Sequence, residues 1–394
     1  MSDDLPPDGE SLGAFLGEIM KMLSGASGSS PNSARDLART IATGGESEPN
    51  IDPRDRITIE ELVRVAELQV QSATQLAVAR GSALRVDVVN RTQWVDSTIE
   101  HYRPLLGAIA SSISTGLPTP DDLSENDPMN QMMAGLSQML ESMLLTMTTG
   151  SMVGELARIA FGGFHLPLPR PENAPLLILL PNVDRFSQDW SLDTDDLRLW
   201  VCLHEATHRA VLGVPHVNER LSDLLQRHAS AFERDPEALS DRLGNFDLSA
   251  GPEAFAELNE TLSDPEVIFC AVRSPAQAAL EPEITALVAA ITGYVDYVMD
   301  QTGGSIIGSY DMVTEALRRR RTQADASDRL VERILGLELD QNQYDRGTAF
   351  VEGVIERAGT AGLNRLFDDP AHLPTPSEVD APGLWLARID LPSG

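Results

Sequence analysis

The chain has 394 residues, 42% of them hydrophobic, which is enough for one large core or two ordinary domains. Its 60 acidic and 30 basic residues give a formal net charge of -30, a surface that repels phosphate backbones and anionic lipid, so neither nucleic acid nor membrane is an expected partner. Two cysteines, Cys202 and Cys270, cannot build a disulfide framework and read as small buried hydrophobes. The start Met1-Ser2-Asp3-Asp4-Leu5-Pro6-Pro7 is acidic and broken by proline, unlike a secretory signal, so a cytoplasmic location is expected.

Residues 1–55 read as a flexible N-terminal segment. Within it Leu12, Phe15, Leu16, Ile19, Met20 and Leu23 form an amphipathic patch suited to a short docking helix, and Ser24 to Pro31 have linker composition. One helical domain is expected over 56–394. It opens with a stripe of Ile59, Leu62, Val63, Ala66 and Val70 at helical spacing. A long helix is predicted from Asp87 to Ser112, kinked or divided at Pro104. The methionine-rich stretch Met129–Phe161 carries Met132, Met133, Met139, Met143 and Met147 at roughly helical spacing. Glu141, Glu155 and Arg158 interrupt it, so it reads as a core helix rather than a span of about 20 apolar residues; a face for an apolar ligand is the weaker reading.

Leu176-Leu177-Ile178-Leu179-Leu180, bounded by Pro175 and Pro181, predicts a buried strand. Helices follow over 194–212, 216–231, 252–261, 277–302, 309–321, 325–337 and 345–359, punctuated by Asp264-Pro265, Pro275 and Gly303-Gly304. The fold class expected is mainly α (α+β), a helical core with a small β-sheet.

One segment carries chemistry. On the helix over 194–212, Asp193 or Thr194 can cap the start, Asp195 and Asp196 favour the helix dipole, and Gly213 ends it. His204-Glu205-Ala206-Thr207-His208 places two imidazoles four residues apart, on one face, able to chelate a single ion. Neutral imidazole suits zinc. Glu205 stands where a general base would take the proton of a metal-activated water, the arrangement used to hydrolyse an amide.

A catalytic zinc takes three protein ligands. His216 is the nearest third histidine, but compared with an HxxGxxH run two extra residues precede the glycine, adding about 3 Å of rise and more than half a turn. A second route is a Glu on a later helix with an Asp four residues on. There Thr292 occupies the ligand position and Asp296 the partner position, leaving Asp296 itself, or Glu219, as direct candidates.

These residues are similar to the actinobacterial zincin-like metallopeptidases, some of which are associated with deazaflavin-cofactor biosynthesis genes. The likeness runs from about Asp36 to Leu386. It rests on Arg91-Thr92-Gln93-Trp94-Val95-Asp96-Ser97-Thr98, Leu177-Ile178-Leu179-Leu180-Pro181-Asn182, Leu199 to His208, Val214-Pro215-His216, Ile291 to Asp296 and Pro374-Thr375-Pro376-Ser377-Glu378. The resemblance implies a zincin-like helical domain with an HExxH active-site helix, zinc as cofactor, and a peptide or protein as substrate. Two positions depart from the pattern: His216 stands where relatives carry Trp, and Thr292-Gly293-Tyr294 where they carry Glu-Gly-His or a close variant. Two functions are therefore expected to compete, a zinc-dependent hydrolase and a non-catalytic scaffold that keeps the framework.

Overall fold

A computed structural model describes residues 31–79, 84–114, 145–234, 271–272, 274–322, 331–337 and 339–391. The amphipathic patch over 12–23, the Ser/Gly linker up to residue 30, Met132, Met133, Met139, Met143, the helix expected over 252–261 and Cys270 lie outside the described residues. The fold is helical with a small sheet, as expected.

Folded structure begins earlier than the sequence suggests. Residues Pro31–Thr43 form helix α1, where a flexible segment was expected up to residue 55. Its apolar side is made of alanines (Ala34, Ala38 and Ala42, all buried), which give a weak hydropathy signal. Gly150 and Gly154, in a helical stretch over 145–159, leave room for Leu37 and Ile41 of α1 to approach closely. On its other side Arg39 grips Asp96 with two hydrogen bonds of 3.0 and 2.8 Å. Helix α2 (Pro53–Thr74) buries the predicted stripe Ile59, Val63, Ala66 and Val70, with Asp52 capping its start.

The long helix expected from Asp87 divides. Val86–Val89 is strand β1, and helix α3 (Arg91–Ser114) starts after Asn90, with Pro104 inside it. The cause is local: the Asn90 side chain accepts from the Gln93 amide while the Gln93 side chain accepts from the Asn90 amide, a reciprocal cap that starts a helix. Strand β2 (Leu176–Leu179) is fully buried and pairs in parallel with β1, Val86 opposite Leu176 and Val89 opposite Leu179. On the far side of β2, Gly162 bridges Ile178 in antiparallel sense; Gly163 N–H donates to the Leu177 carbonyl and Leu179 N–H to that of Phe161. Helix α4 (Leu180–Asp189) follows directly.

Helix α5 (Thr194–Leu212) matches its predicted limits, and Asp193 caps it by accepting from the Asp195 and Asp196 amides, both at 3.0 Å. Arg198 joins it to α4 through two 2.8 Å bonds to Asp184, and to α2 through Asp55. Helix α6 (Pro215–Ala229) comes next, then a two-residue pairing of β3 (Glu233–Arg234) with β4 (Ala271–Val272).

The centre of the molecule is helix α7 (Pro275–Ile306), which packs against α2, α5, α6 and α9 (Gln341–Asn364). It is long and apolar enough to cross a membrane, a possibility the sequence reading weighed only for the methionine-rich stretch and set aside there; 78% of its most apolar window is buried inside the protein. Gly293 of α7 and Gly347 of α9 let the two backbones touch: a Cβ on Gly293 would stand 2.4 Å from the Gly347 carbonyl carbon. Helix α8 (Tyr310–Thr322) and the C-terminal helices α10 (Pro376–Val379) and α11 (Pro382–Ile389) complete the described fold.

Candidate active site

Helix α5 is held between β2 and α7, with Leu197, Val201, Leu203 and Ala210 buried along it. That packing fixes which way its polar residues face. His204 and His208 lie one turn apart with ring centroids 4.3 Å from each other. Trp200 stacks on His204 at 4.8 Å, and Phe164 stacks on His208 at 6.0 Å, so the pair is clamped between two aromatic rings. His208 Nδ1 lies 3.2 Å from the His204 carbonyl oxygen. A proton on Nδ1 satisfies that contact and leaves the Nε2 lone pair available, the tautomer a metal-ligating histidine adopts.

Burial pushes both imidazoles down to about 3, with the positive charge of Arg321 adding to the effect, so both are neutral near pH 7. His165 is pushed down to about 3 as well, by burial, Arg320 and His204. Neutral rings are the form that binds metal.

Glu205 is 1% exposed. Its Oε2 accepts the Phe164 amide at 2.9 Å and its Oε1 lies 3.8 Å from His204 Nδ1. The carboxylate rests directly on Gly162, where a Cβ would be 2.4 Å from Cδ of Glu205 and 2.5 Å from the Leu177 carbonyl oxygen. Burial raises Glu205 to about 7, opposed by the Phe164 amide, His208, Arg170 and the Gly163 amide. A carboxyl poised near neutrality can both take and return a proton at physiological pH.

The loop that carries Gly162, Gly163 and Phe164 is fixed from behind. Trp94 donates its indole N–H to the Gly162 carbonyl at 2.8 Å. The Asn182 side-chain amide donates to the Ala157 and Ala160 carbonyls and accepts from Arg91. The segments Arg91–Thr98 and Leu177–Asn182, which looked merely distinctive in the sequence, thus set the position of the acid.

The other expected residues are placed elsewhere. His216, at the start of α6, has Nε2 3.4 Å from the Leu366 carbonyl oxygen. Asp296 pairs with Arg321 at 3.7 Å, and Arg321 in turn lies over the Tyr344 ring at 4.2 Å. The Thr292 hydroxyl is spent within its own helix on the Val288 carbonyl at 2.9 Å, and Glu219 is exposed on α6. Among the described residues, no three His, Cys, Asp or Glu side chains gather in a metal-binding group. The buried neutral imidazole pair with its oriented tautomer fits a zinc ion through two donors; the third donor is furnished by neither His216 nor Asp296.

Phe164, Gly162 and Arg321 escaped the sequence reading, and Trp200 entered it only as part of the Leu199–His208 segment. Only the doublet Gly162-Gly163 left a signal, a place where backbone must come close to something.

A family model described as zincin-like metallopeptidase matches residues 31–386. Among solved structures, the chain is similar to a "putative hydrolase with a novel fold" from Chloroflexus aurantiacus, with 21% identity, a TM-score of 0.63, and coverage of 92% of this chain and 99% of that one. That likeness is one of fold. The comparison with curated proteins gave no match.

Proposed function

This chain belongs to the zincin-like metallopeptidase family, and on that premise we propose that it is a zinc-dependent hydrolase of peptide bonds in the cytoplasm, with His204 and His208 as metal ligands and Glu205 as general base. The observation that carries this reading is the placement of Glu205: buried, held by the Phe164 amide, and beside two neutral imidazoles that share one helical face. Zinc in such a site polarises a carbonyl and acidifies a bound water.

The protein's own part is orientation and proton handling. The Phe164 amide fixes one oxygen of Glu205, leaving Oε1 on the histidine side to accept a proton from the attacking water and pass it to the leaving amine. Trp200 and Phe164 hold the rings and keep bulk water from them. The substrate class proposed is a peptide or protein.

A second reading has its own support. Arg321 presses its charge on both imidazoles, and Thr292 offers no ligand, as expected of a framework retained for binding a partner without catalysis. Metal analysis of untagged protein, coupled to a peptidase assay, separates the two. Hydrolysis predicts near-stoichiometric zinc that falls on His204→Ala, and activity lost on Glu205→Gln with zinc retained. Zinc well below one equivalent and unchanged by His204→Ala would remove the hydrolase reading and leave the scaffold.

A further inference from the structure

On the other side of the Gly162-Gly163 turn from Glu205 lies a cavity of about 170 Å³ between α3, the loop around residue 169 and α6. Leu168 and Leu225 form apolar wall, and Ser222 and Gln226, one turn apart and exposed on α6, stand at the mouth. Deeper in, Arg170 and, from α3, His101 and Tyr102 add polar groups to its lining.

Arg170 is 9% exposed, yet its guanidinium has no hydrogen bond or ion pair with a described residue, and Nη1 is fully buried without a partner. It lies against Gly163 and at 5.7 Å from the Phe164 ring, contacts that do not neutralise it. Its neighbour Arg209 shows how the chain normally treats such a group: three backbone carbonyls, of Val78, Ala174 and Glu172, receive its protons. Burial with so little compensation lowers the Arg170 pKa from its ordinary value. On α3, His101 Nε2 is likewise buried without a hydrogen-bond partner. A buried charge needs opposite charge and hydrogen-bond acceptors around it; among the described residues Glu205 and Tyr102 act on Arg170 through space, but none accepts a hydrogen bond from its buried Nη1.

We propose that this cavity binds a small organic carboxylate, its two oxygens on the Arg170 guanidinium and its apolar body against Leu168 and Leu225. A guanidinium pairs with a carboxylate through parallel hydrogen bonds. A single cation between leucines suits a monoanion with an apolar body better than a phosphate, which gathers several donors. The volume is close to the roughly 150 Å³ that admits benzene in an engineered cavity. None of the residues assigned to metal binding or proton transfer lines the cavity, although Arg170 acts on Glu205 through space; carboxylate binding is read by calorimetry, and its failure leaves the zinc and peptidase measurements to decide the hydrolase reading on their own.

The test is calorimetry and thermal unfolding of the full chain with benzoate and 3-methylbutanoate, against benzamide and inorganic phosphate. Both or either carboxylate should bind one to one and raise the Tm, while benzamide binds about tenfold weaker or less and phosphate leaves the Tm unchanged. Arg170→Met should abolish the carboxylate-dependent shift; if that variant does not fold, Ser222→Trp, which obstructs the mouth and leaves Arg170 in place, should weaken binding about tenfold or more. The proposal is overturned if neither carboxylate binds the parent protein, if benzamide binds as well, if phosphate alone stabilises, or if Ser222→Trp binds as the parent does.

Discussion

The Glu205 carboxylate accepts the backbone amide of Phe164 at 2.9 Å, while the Phe164 ring stacks on His208. One loop residue therefore orients the acid through its main chain and an imidazole through its side chain. Everything that seats that loop bears on the site.

Gly162 is where this dependence is tightest, since a Cβ there would collide with both Glu205 and the Leu177 carbonyl. We predict that Gly162→Ala lowers stability by about 1–3 kcal/mol, the usual cost of overpacking, and disturbs zinc binding or activity with it. Urea unfolding beside metal analysis checks this. A variant with parent-like stability would show that the acid does not rest on the turn.

Glu205 also gives a pH signature in protein stripped of metal. Its folded pKa is raised to about 7 from an ordinary 4.5, so the fold prefers the neutral acid. The stability this contributes is full below about pH 4.5 and is lost as pH rises through about 7. At about 1.4 kcal/mol per pH unit, the gap amounts to roughly 3 kcal/mol. Glu205→Gln, which keeps an oxygen for the Phe164 amide, should thus gain on the parent protein across that window. Denaturant curves at a series of pH values measure it, and parallel profiles for the two proteins would contradict the burial argument.

The contact between α7 and α9 makes a paired prediction. Gly293→Ala meets backbone, which cannot swing aside, and should cost about 3 kcal/mol, the upper part of the overpacking range. Gly304→Ala, on the same helix but exposed, finds nothing nearer than Tyr310 at 3.9 Å. It should be neutral or stabilising by up to about 1 kcal/mol. Thermal unfolding of the two variants side by side decides; equal effects would mean that the helices do not touch at Gly293.

Helix α1 tests where the domain begins. Removing residues 1–44 takes away Ala34, Ala38 and Ala42 from the core and leaves Gly150 and Gly154 without the side chains they accommodate. We predict a loss of roughly 2–4 kcal/mol, from the apolar area re-exposed and the void left behind. A truncated chain that unfolds at the parent's Tm would place α1 outside the cooperative core.

What the sequence determined by itself is what depends on neighbours along the chain. Asp193 as a cap, the limits of α5, and His204 and His208 on one face all follow from helical periodicity and end chemistry, which operate within a turn or two. Leu176–Leu179 as a strand follows from composition over a few residues. Where the local signal was weak or overlooked the reading went astray: the alanine face of α1 is nearly silent in hydropathy, and the Asn90–Gln93 reciprocal cap that separates β1 from α3 was hidden inside a helical pattern. The tertiary structure alone decided the rest. Whether Glu205 is solvated or buried, which amide holds it, and why Arg170 Nη1 is buried without a hydrogen bond are set by residues dozens of positions away. So is the fate of Asp296 and His216, which turn to Arg321 and to the Leu366 carbonyl rather than to the histidine pair. Burial and charge are properties of the assembled core, and no spacing rule reports them.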